Sequence, residues 1–201
     1  EGCAAVVCAL PAGALASLRI EGVPDASRLN ILREIEHPPL VSIFTGFKRT
    51  DVAHPLDGFG VLIPHVEHSP ILGTLFSSSL FAGRAPDGHV ALTSFVGGAR
   101  QPDLLKLDDW ELLRLVQPEL DRLLGIRGLP VFTHVQRWPR AVPQYTLGFQ
   151  RYKDAITAVE ASAPGLFIGG NCRDGISIGN CIESGQRLAK AAAEALRPAH
   201  A

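Results

Sequence analysis

Between residues 165 and 196 the chain reads GLFIGGNCRDGISIGNCIESGQRLAKAAAEAL. This is a short apolar run, a turn of glycines and small polar residues, and an alanine-dense segment with strong helix-forming character. A strand that passes into a helix through such a turn aims the unpaired amide hydrogens of the helix's first turn, with the positive end of its dipole, at whatever lies over it. A phosphate or an electron-rich ring suits that chemistry. Gly169, Gly170 and Gly175 would let such a guest reach the backbone, since they lack a Cβ and tolerate positive φ. A tight strand-to-helix connection, with glycines serving geometry alone, has the same spacing.

Other chemistry finds little support. His54, His65, His68, His89 and His134 are scattered over separate turns and strands with no His-x-x-x-His on a helix, so no metal site is expected. Cys3, Cys8, Cys172 and Cys181 have neither zinc spacing nor a Cys-x-x-Cys pair, and read as free thiols in a reducing compartment. Ser77, Ser78 and Ser79 fall in a strand pattern and lack the Gly-x-Ser-x-Gly elbow that exposes a nucleophile.

The 201 residues are 46% hydrophobic and 19% charged, which excludes disorder and permits a substantial core. A net charge of -1 without clustered Lys and Arg excludes a nucleic-acid footprint. No apolar run approaches the roughly 20 residues of a spanning helix. The chain opens on Glu1 and contains no methionine, so a processed product or a piece of a longer protein is expected. No basic segment precedes the apolar Cys3–Leu10 stretch, as a signal peptide would require.

The elements that must position the turn are spread along the chain. Residues 3 to 9 read as a strand buried on both faces. Residues 11–18 and 25–33 read as short helices, with Asp25 and Ser27 offering caps. From Leu40 four strand patterns follow, LVSIFTGFKR, GFGVLIP, ILGTLFSSS and HVALTSFVGG, implying an antiparallel or mixed sheet. A helix over 107–124 carries Trp110, Leu113, Val116, Leu120, Leu123 and Leu124 at helical spacing, starts at Asp108 or Asp109 and ends at Gly125, with Pro118 expected to kink or split it. A strand, VFTHVQRW, an irregular loop and a helix from Gln150 to about Ala161 lead back to the glycine turn.

The segments GLFIGGNCRDGISIGNCIESG, HPLDGFGVLIP, LGTLFSSSLFAGRAPDGHV, TSFVGGAR and RWPRAVPQYTLG occur in the order and form found in the protoporphyrinogen oxidases, a branch of the flavin-dependent amine-oxidase superfamily. The chain resembles the C-terminal portion of that family over nearly its whole length. The resemblance implies FAD as cofactor, a porphyrinogen (protoporphyrinogen IX or coproporphyrinogen III) as substrate in haem biosynthesis, and oxygen as electron acceptor. It places the cofactor against Gly170, Asn171, Gly175, Ile176, Ser177 and Ile178, and the substrate against Leu62 or Ile63 and Phe81. Arg84 and Arg100 could meet propionates, although a role in holding turns or pairing with surface carboxylates is the reading preferred. Where the family usually carries an aromatic residue this chain has Cys172. No catalytic acid or base is assigned, since hydride transfer is the cofactor's chemistry.

The fold expected is α/β: a partial, Rossmann-like FAD-binding domain made by both chain ends, with a mixed or antiparallel substrate lobe between them. The boundaries expected are 1–20, 21–160 and 161–201. The Gly-x-Gly-x-x-Gly fingerprint is absent, so the adenosine half of the cofactor site is expected from a missing N-terminal part of the same enzyme, and this chain alone is expected to be inactive. The family also suggests a homodimer and a cytoplasmic location, free or peripheral on the cytoplasmic membrane. The alternatives are another oxidoreductase of the superfamily, or a truncated, non-catalytic product that binds a partner or a tetrapyrrole.

Overall fold

A computed structural model describes residues 3–197, so the ends of the expected terminal segments, 1–2 and 198–201, lie outside the described residues. The chain begins with strand β1 (Val6–Cys8), helix α1 (Ala12–Leu15) and a 3-10 run over Ala26–Glu34. Strands β2 (Leu40–Lys48), β3 (Gly60–Leu62) and β4 (Ile71–Leu75), helix α2 (Ser77–Leu80) and strand β5 (His89–Gly97) follow. Helix α3 (Asp109–Leu124), strand β6 (Phe132–Trp138), helix α4 (Gln150–Ser162), strand β7 (Leu166–Ile168) and helix α5 (Ile178–Ala195) complete the order. The result is a mixed α/β fold with one parallel and one antiparallel sheet.

Two compact units result. One joins the residues up to His37 to those from Val142 onward, and the other is Pro38–Ala141. The boundaries therefore fall at 37/38 and 141/142, where the sequence suggested 20/21 and 160/161. Apolar burial explains the shift: Leu29, Leu32 and Ile35 from the 3-10 region share a core with Phe149, Ile156, Ile168 and Cys172, so both flanking segments belong with the chain ends.

In the first unit β1 and β7 form a two-stranded parallel sheet, with Val6 opposite Leu166 and Cys8 opposite Ile168. Cys8 is buried, but Val6 and Val7, which point to opposite faces, are both exposed, so the strand expected to be covered on both faces is covered only at its Cys8 end. The 25–33 segment is 3-10, and Asp25 accepts from Arg28 Nε at 2.9 Å in place of capping a helix.

In the second unit the strand order is β3-β4-β5-β2-β6, antiparallel throughout. Alternation along β2 sends Val41, Ile43, Thr45 and Phe47 to one face, where the apolar side chains pack with Leu112, Val116, Leu120 and Leu124 of α3. The helix starts at a capping box, Asp108 with Glu111, and closes at Gly125. It runs without interruption across Pro118, so the split expected there as one of two outcomes does not occur. Its buried stripe repeats every fourth residue from Leu112, and Trp110, assigned to that stripe by spacing, is 65% exposed. The serines expected in a strand form α2 instead. Past Thr93 strand β5 loses β4 as a neighbour, and there Ser78 Oγ accepts from Ala91 N–H at 3.0 Å, sealing the vacated edge.

This packing makes the two sides of α3 energetically unequal. Leu120→Ala is expected to destabilise the protein by about 2–5 kcal/mol through lost burial and a residual cavity, whereas Trp110→Ala stays within about 0.5 kcal/mol. Denaturant titration followed by circular dichroism separates these values, and equal losses would contradict the phase of the helix.

Candidate functional site

The glycine turn is assembled by β1, β7, α4 and α5. Gly169 N–H donates to Cys8 O at 3.0 Å, extending the parallel pairing by one residue into the turn. Gly169 has no room for a side chain: a Cβ would lie 2.6 Å from Leu188 Cδ1 and 2.7 Å from Ser184 Oγ. Helix α5 can therefore cross the end of β7 at close range. Asp174 fastens the crossing. Its carboxylate accepts from the Ser184 hydroxyl, from Gly170 N–H at 3.3 Å, and from Arg187 with both oxygens at 2.8 Å.

Arg173 secures the other side. It pairs with Glu160 of α4 at 2.8 Å and donates to Ile168 O, while Ile168 N–H donates to the same Glu160 carboxylate at 2.7 Å. The end of β7 is held to α4 by one closed set of polar contacts, largely out of solvent. Both charged residues of the turn thus serve its geometry.

At the helix start Ser177 caps α5. Its Oγ accepts from Asn180 N–H at 3.0 Å, and Asn180 Oδ1 returns the contact to Ser177 N–H at 3.4 Å. Gly175 precedes the cap at φ +117°, where a Cβ would stand 2.5 Å from Asn180 Oδ1, so any side chain there would break the capping pair. The Gly175 N–H itself is engaged by the Tyr145 hydroxyl at 2.9 Å. That leaves the first-turn amides of Ile178 and Gly179, which have no partner within the helix and lie on exposed residues, as the donors facing outward.

The residues named from sequence fall together here. Gly170 and Asn171 line a cavity of about 270 Å³ with Ala9, Pro11, Cys181 and Ser184. Ile176 and Ser177 are exposed beside it in sequence, and Ile178 is 82% exposed. The volume is just below the roughly 300–1,000 Å³ of a pocket that encloses a drug-sized ligand, so these residues form a wall and not a container. Cys172 is fully buried in the core of this unit, and burial pushes its thiol above the ordinary value. Sequence reasoning missed Tyr145, whose only signal was its place in the RWPRAVPQYTLG segment.

A second surface lies in the other unit, on the face of the antiparallel sheet that alternation turns away from α3. Register aligns Leu62, Gly73, Phe95, Ser42 and Gln136 in one row across all five strands. Phe44, Thr93 and His134 lie in a neighbouring row, and the Phe44 and Phe132 rings meet edge to face at 5.9 Å. Leu62 is 86% exposed there. Ile63, the alternative to it, is 6% exposed and packs in the core, so of the two only Leu62 can meet a ligand. Ser77 of α2 bonds Thr93 on this face at 2.7 Å, which fixes the segment carrying Phe81, a ring that is itself exposed with the Arg84 guanidinium 5.6 Å from its centroid. The Arg100 guanidinium bonds Ile63 O at 3.3 Å, as a residue holding a turn would.

Among the described residues no helix is long and apolar enough to cross a membrane, and no three metal-ligating side chains converge.

Comparison with known proteins places this geometry. The family model described as flavin containing amine oxidoreductase matches residues 2–193. A mitochondrial protoporphyrinogen oxidase of Nicotiana tabacum is 39% identical over 184 residues, 90% of this chain and 36% of that protein. Protoporphyrinogen oxidase 2 of Arabidopsis thaliana is 41% identical over 165 residues, 81% of this chain and 32% of its own length. The chain thus spans about a third of the length of the curated relatives it matches. Cyclohexylamine oxidase from Brevibacterium oxydans shares the fold with a TM-score of 0.67 at 16% identity, over 95% of this chain and 43% of that one.

The cysteines report on the turn directly. Iodoacetamide is expected to modify exposed Cys3 and Cys181 in the native protein and to spare Cys8 and Cys172 until it unfolds, as read by mass spectrometry. Because folding raises the Cys172 value, its contribution to stability is complete below the ordinary thiol value of about 9 and is lost as pH rises through the raised one. Alkylation of Cys172 at the rate of Cys181 would contradict its burial.

Proposed function

This chain belongs to the flavin containing amine oxidoreductase family, and we propose that it forms part of a longer FAD enzyme that oxidises a porphyrinogen, protoporphyrinogen IX or coproporphyrinogen III, to the porphyrin in haem biosynthesis. One observation carries the choice of substrate: identity to the two plant protoporphyrinogen oxidases is 39–41% over 81–90% of this chain. The five segments that bear the resemblance run through both units, so the likeness is not confined to the glycine turn.

The residues of the turn fit a flavin. The outward amides of Ile178 and Gly179 and the dipole of an 18-residue helix suit an anionic or electron-rich group. The cavity beside Gly170 and Asn171 gives that group an approach to the backbone, and Ile176 and Ile178 offer apolar contact at its edge. Bound FAD would supply the two-electron acceptor chemistry, with oxygen as the terminal acceptor. The chain's own residues hold and orient. Asp174, Arg173 and Ser177 keep the turn in shape, and the remaining polypeptide contributes the other walls of the site. The open face of the antiparallel sheet, with Leu62, Phe44 and Phe95 among its side chains and Phe81 on the segment fastened to it, gives a wall with apolar side chains for a macrocycle and polar ones, Ser42, Thr93 and His134, beside them. Association as a homodimer, or with the cytoplasmic membrane surface, is part of the same proposal.

The test is reconstitution of the longer polypeptide with FAD, followed by anaerobic addition of each porphyrinogen and admission of oxygen. Flavin absorbance near 450 nm and porphyrin fluorescence that develops only with oxygen are the expected results. Gly175→Val, which breaks the Ser177–Asn180 cap, should reduce flavin content to below about a tenth of the wild-type value. A colourless protein that converts neither porphyrinogen would overturn the proposal, and retention of full flavin by the valine variant would remove the turn from the site.

A further inference from the structure

We infer that Tyr145 is a positioning residue for the cofactor turn, acting through a hydroxyl that clasps the turn at both ends. The inference rests on the flavin reading above. The Tyr145 hydroxyl donates to Asn171 O at 2.8 Å and accepts from Gly175 N–H at 2.9 Å, so one atom bridges the first and last residues of the Asn171–Gly175 segment. Those are the residues that border the cavity on one side and the helix cap on the other. Arg173 N–H and Asp174 N–H both donate to Gly170 O at 3.0 Å within the turn, and their side chains bind it to the elements beneath; among the described hydrogen bonds the Tyr145 hydroxyl adds the link between Asn171 and Gly175 themselves.

The ring is held in place before it reaches the turn. It stacks on Phe149 with centroids 4.0 Å apart and planes inclined by 13°, and Lys153 of α4 stands 5.6 Å from its centroid. Phe149 is buried and meets the buried Tyr152 ring edge to face at 5.1 Å. The hydroxyl's direction is therefore set by the start of α4, which fixes the ring plane, and not by the turn it restrains. Burial pushes the phenol above its ordinary value, against the Gly175 amide, which pulls it down, so the group keeps the proton it donates to Asn171.

The consequence is geometric. Gly175 sits at φ +117° two residues before the cap residue Ser177, and a shift of its peptide would tilt the amides of Ile178 and Gly179 away from the direction Ser177 gives them. A tyrosine that pins Gly175 N–H against Asn171 O keeps those donors and the cavity rim in one fixed arrangement, reducing what a ligand must organise on binding. A role confined to stability would show in the unfolding temperature and leave cofactor affinity unchanged.

The discriminating variant is Tyr145→Phe, which removes the hydroxyl and keeps the stack on Phe149. In the flavin-free protein, amide exchange over residues 171–176 should accelerate by about tenfold or more while exchange in β2 and β5 stays as it was, and the unfolding temperature should move by less than about 5 °C. In the reconstituted protein the dissociation constant for FAD, read by quenching of flavin fluorescence, should rise by about tenfold, with a shift of the bound-flavin absorbance band. Unchanged exchange in the turn would overturn the clasp. Faster exchange with unchanged FAD affinity and spectrum would overturn the positioning role while leaving the flavin reading intact. A wild-type protein that binds no FAD would instead sink the parent reading, and the inference with it.

Discussion

One carboxylate holds the crossing of β7 and α5 together. Asp174 gathers the Ser184 hydroxyl, the Gly170 amide and the Arg187 guanidinium at a single point, and its Oδ2 would be 3.0 Å from any Cβ at position 169. The requirements propagate from there. Position 169 must be glycine because the acid and Leu188 occupy its side-chain volume, position 184 must present a small hydroxyl, and position 187 must carry a planar cation. An ion pair this accessible contributes little by itself, but combined with a backbone amide and a buried hydroxyl it fixes direction as well as distance. The helix cap, the cavity rim and the outward amides all take their positions from that junction.

The parts of this arrangement that are written locally could be read from the sequence. The alanine-rich body of α5, the start of α3 at Asp108 or Asp109 and its stop at Gly125 depend on neighbours within a turn, so residue types at short spacing specify them. Whether Leu62 or Ile63 faced outward could not be read, because a one-residue change of register exchanges the faces of a strand. On α3 Val116, Leu120 and Leu124 are buried as their spacing suggested, while Leu112 was missed and Trp110 misassigned, because Leu112 and Leu113 support two overlapping apolar stripes and the sheet decides which is buried.

Features made by distant segments were not legible. Tyr145 reaches Asn171 and Gly175 across 26 and 30 residues, and nothing near it in sequence marks its hydroxyl as engaged. The unit boundaries were displaced because Leu29 and Leu32 bury against a helix more than a hundred residues away, a pairing that spacing cannot reveal. At Pro118 a local rule predicted a kink or a split. The helix is not split: it keeps Leu120 and Leu124 against the sheet, and burial on both sides of the proline outweighs one absent backbone donor.

The two surfaces differ in what they can discriminate. The turn offers backbone amides and glycines, and its charged side chains are engaged in holding its own shape. The open sheet face offers side chains in rows, and each can change without disturbing the ladder beneath it. A fold shared at 16% identity with a cyclohexylamine oxidase cannot itself select a substrate. The sheet face carrying Leu62, Phe44, Phe95 and His134 stands opposite the buried stripe on α3, so one of its side chains can be replaced and leave that stripe as it was.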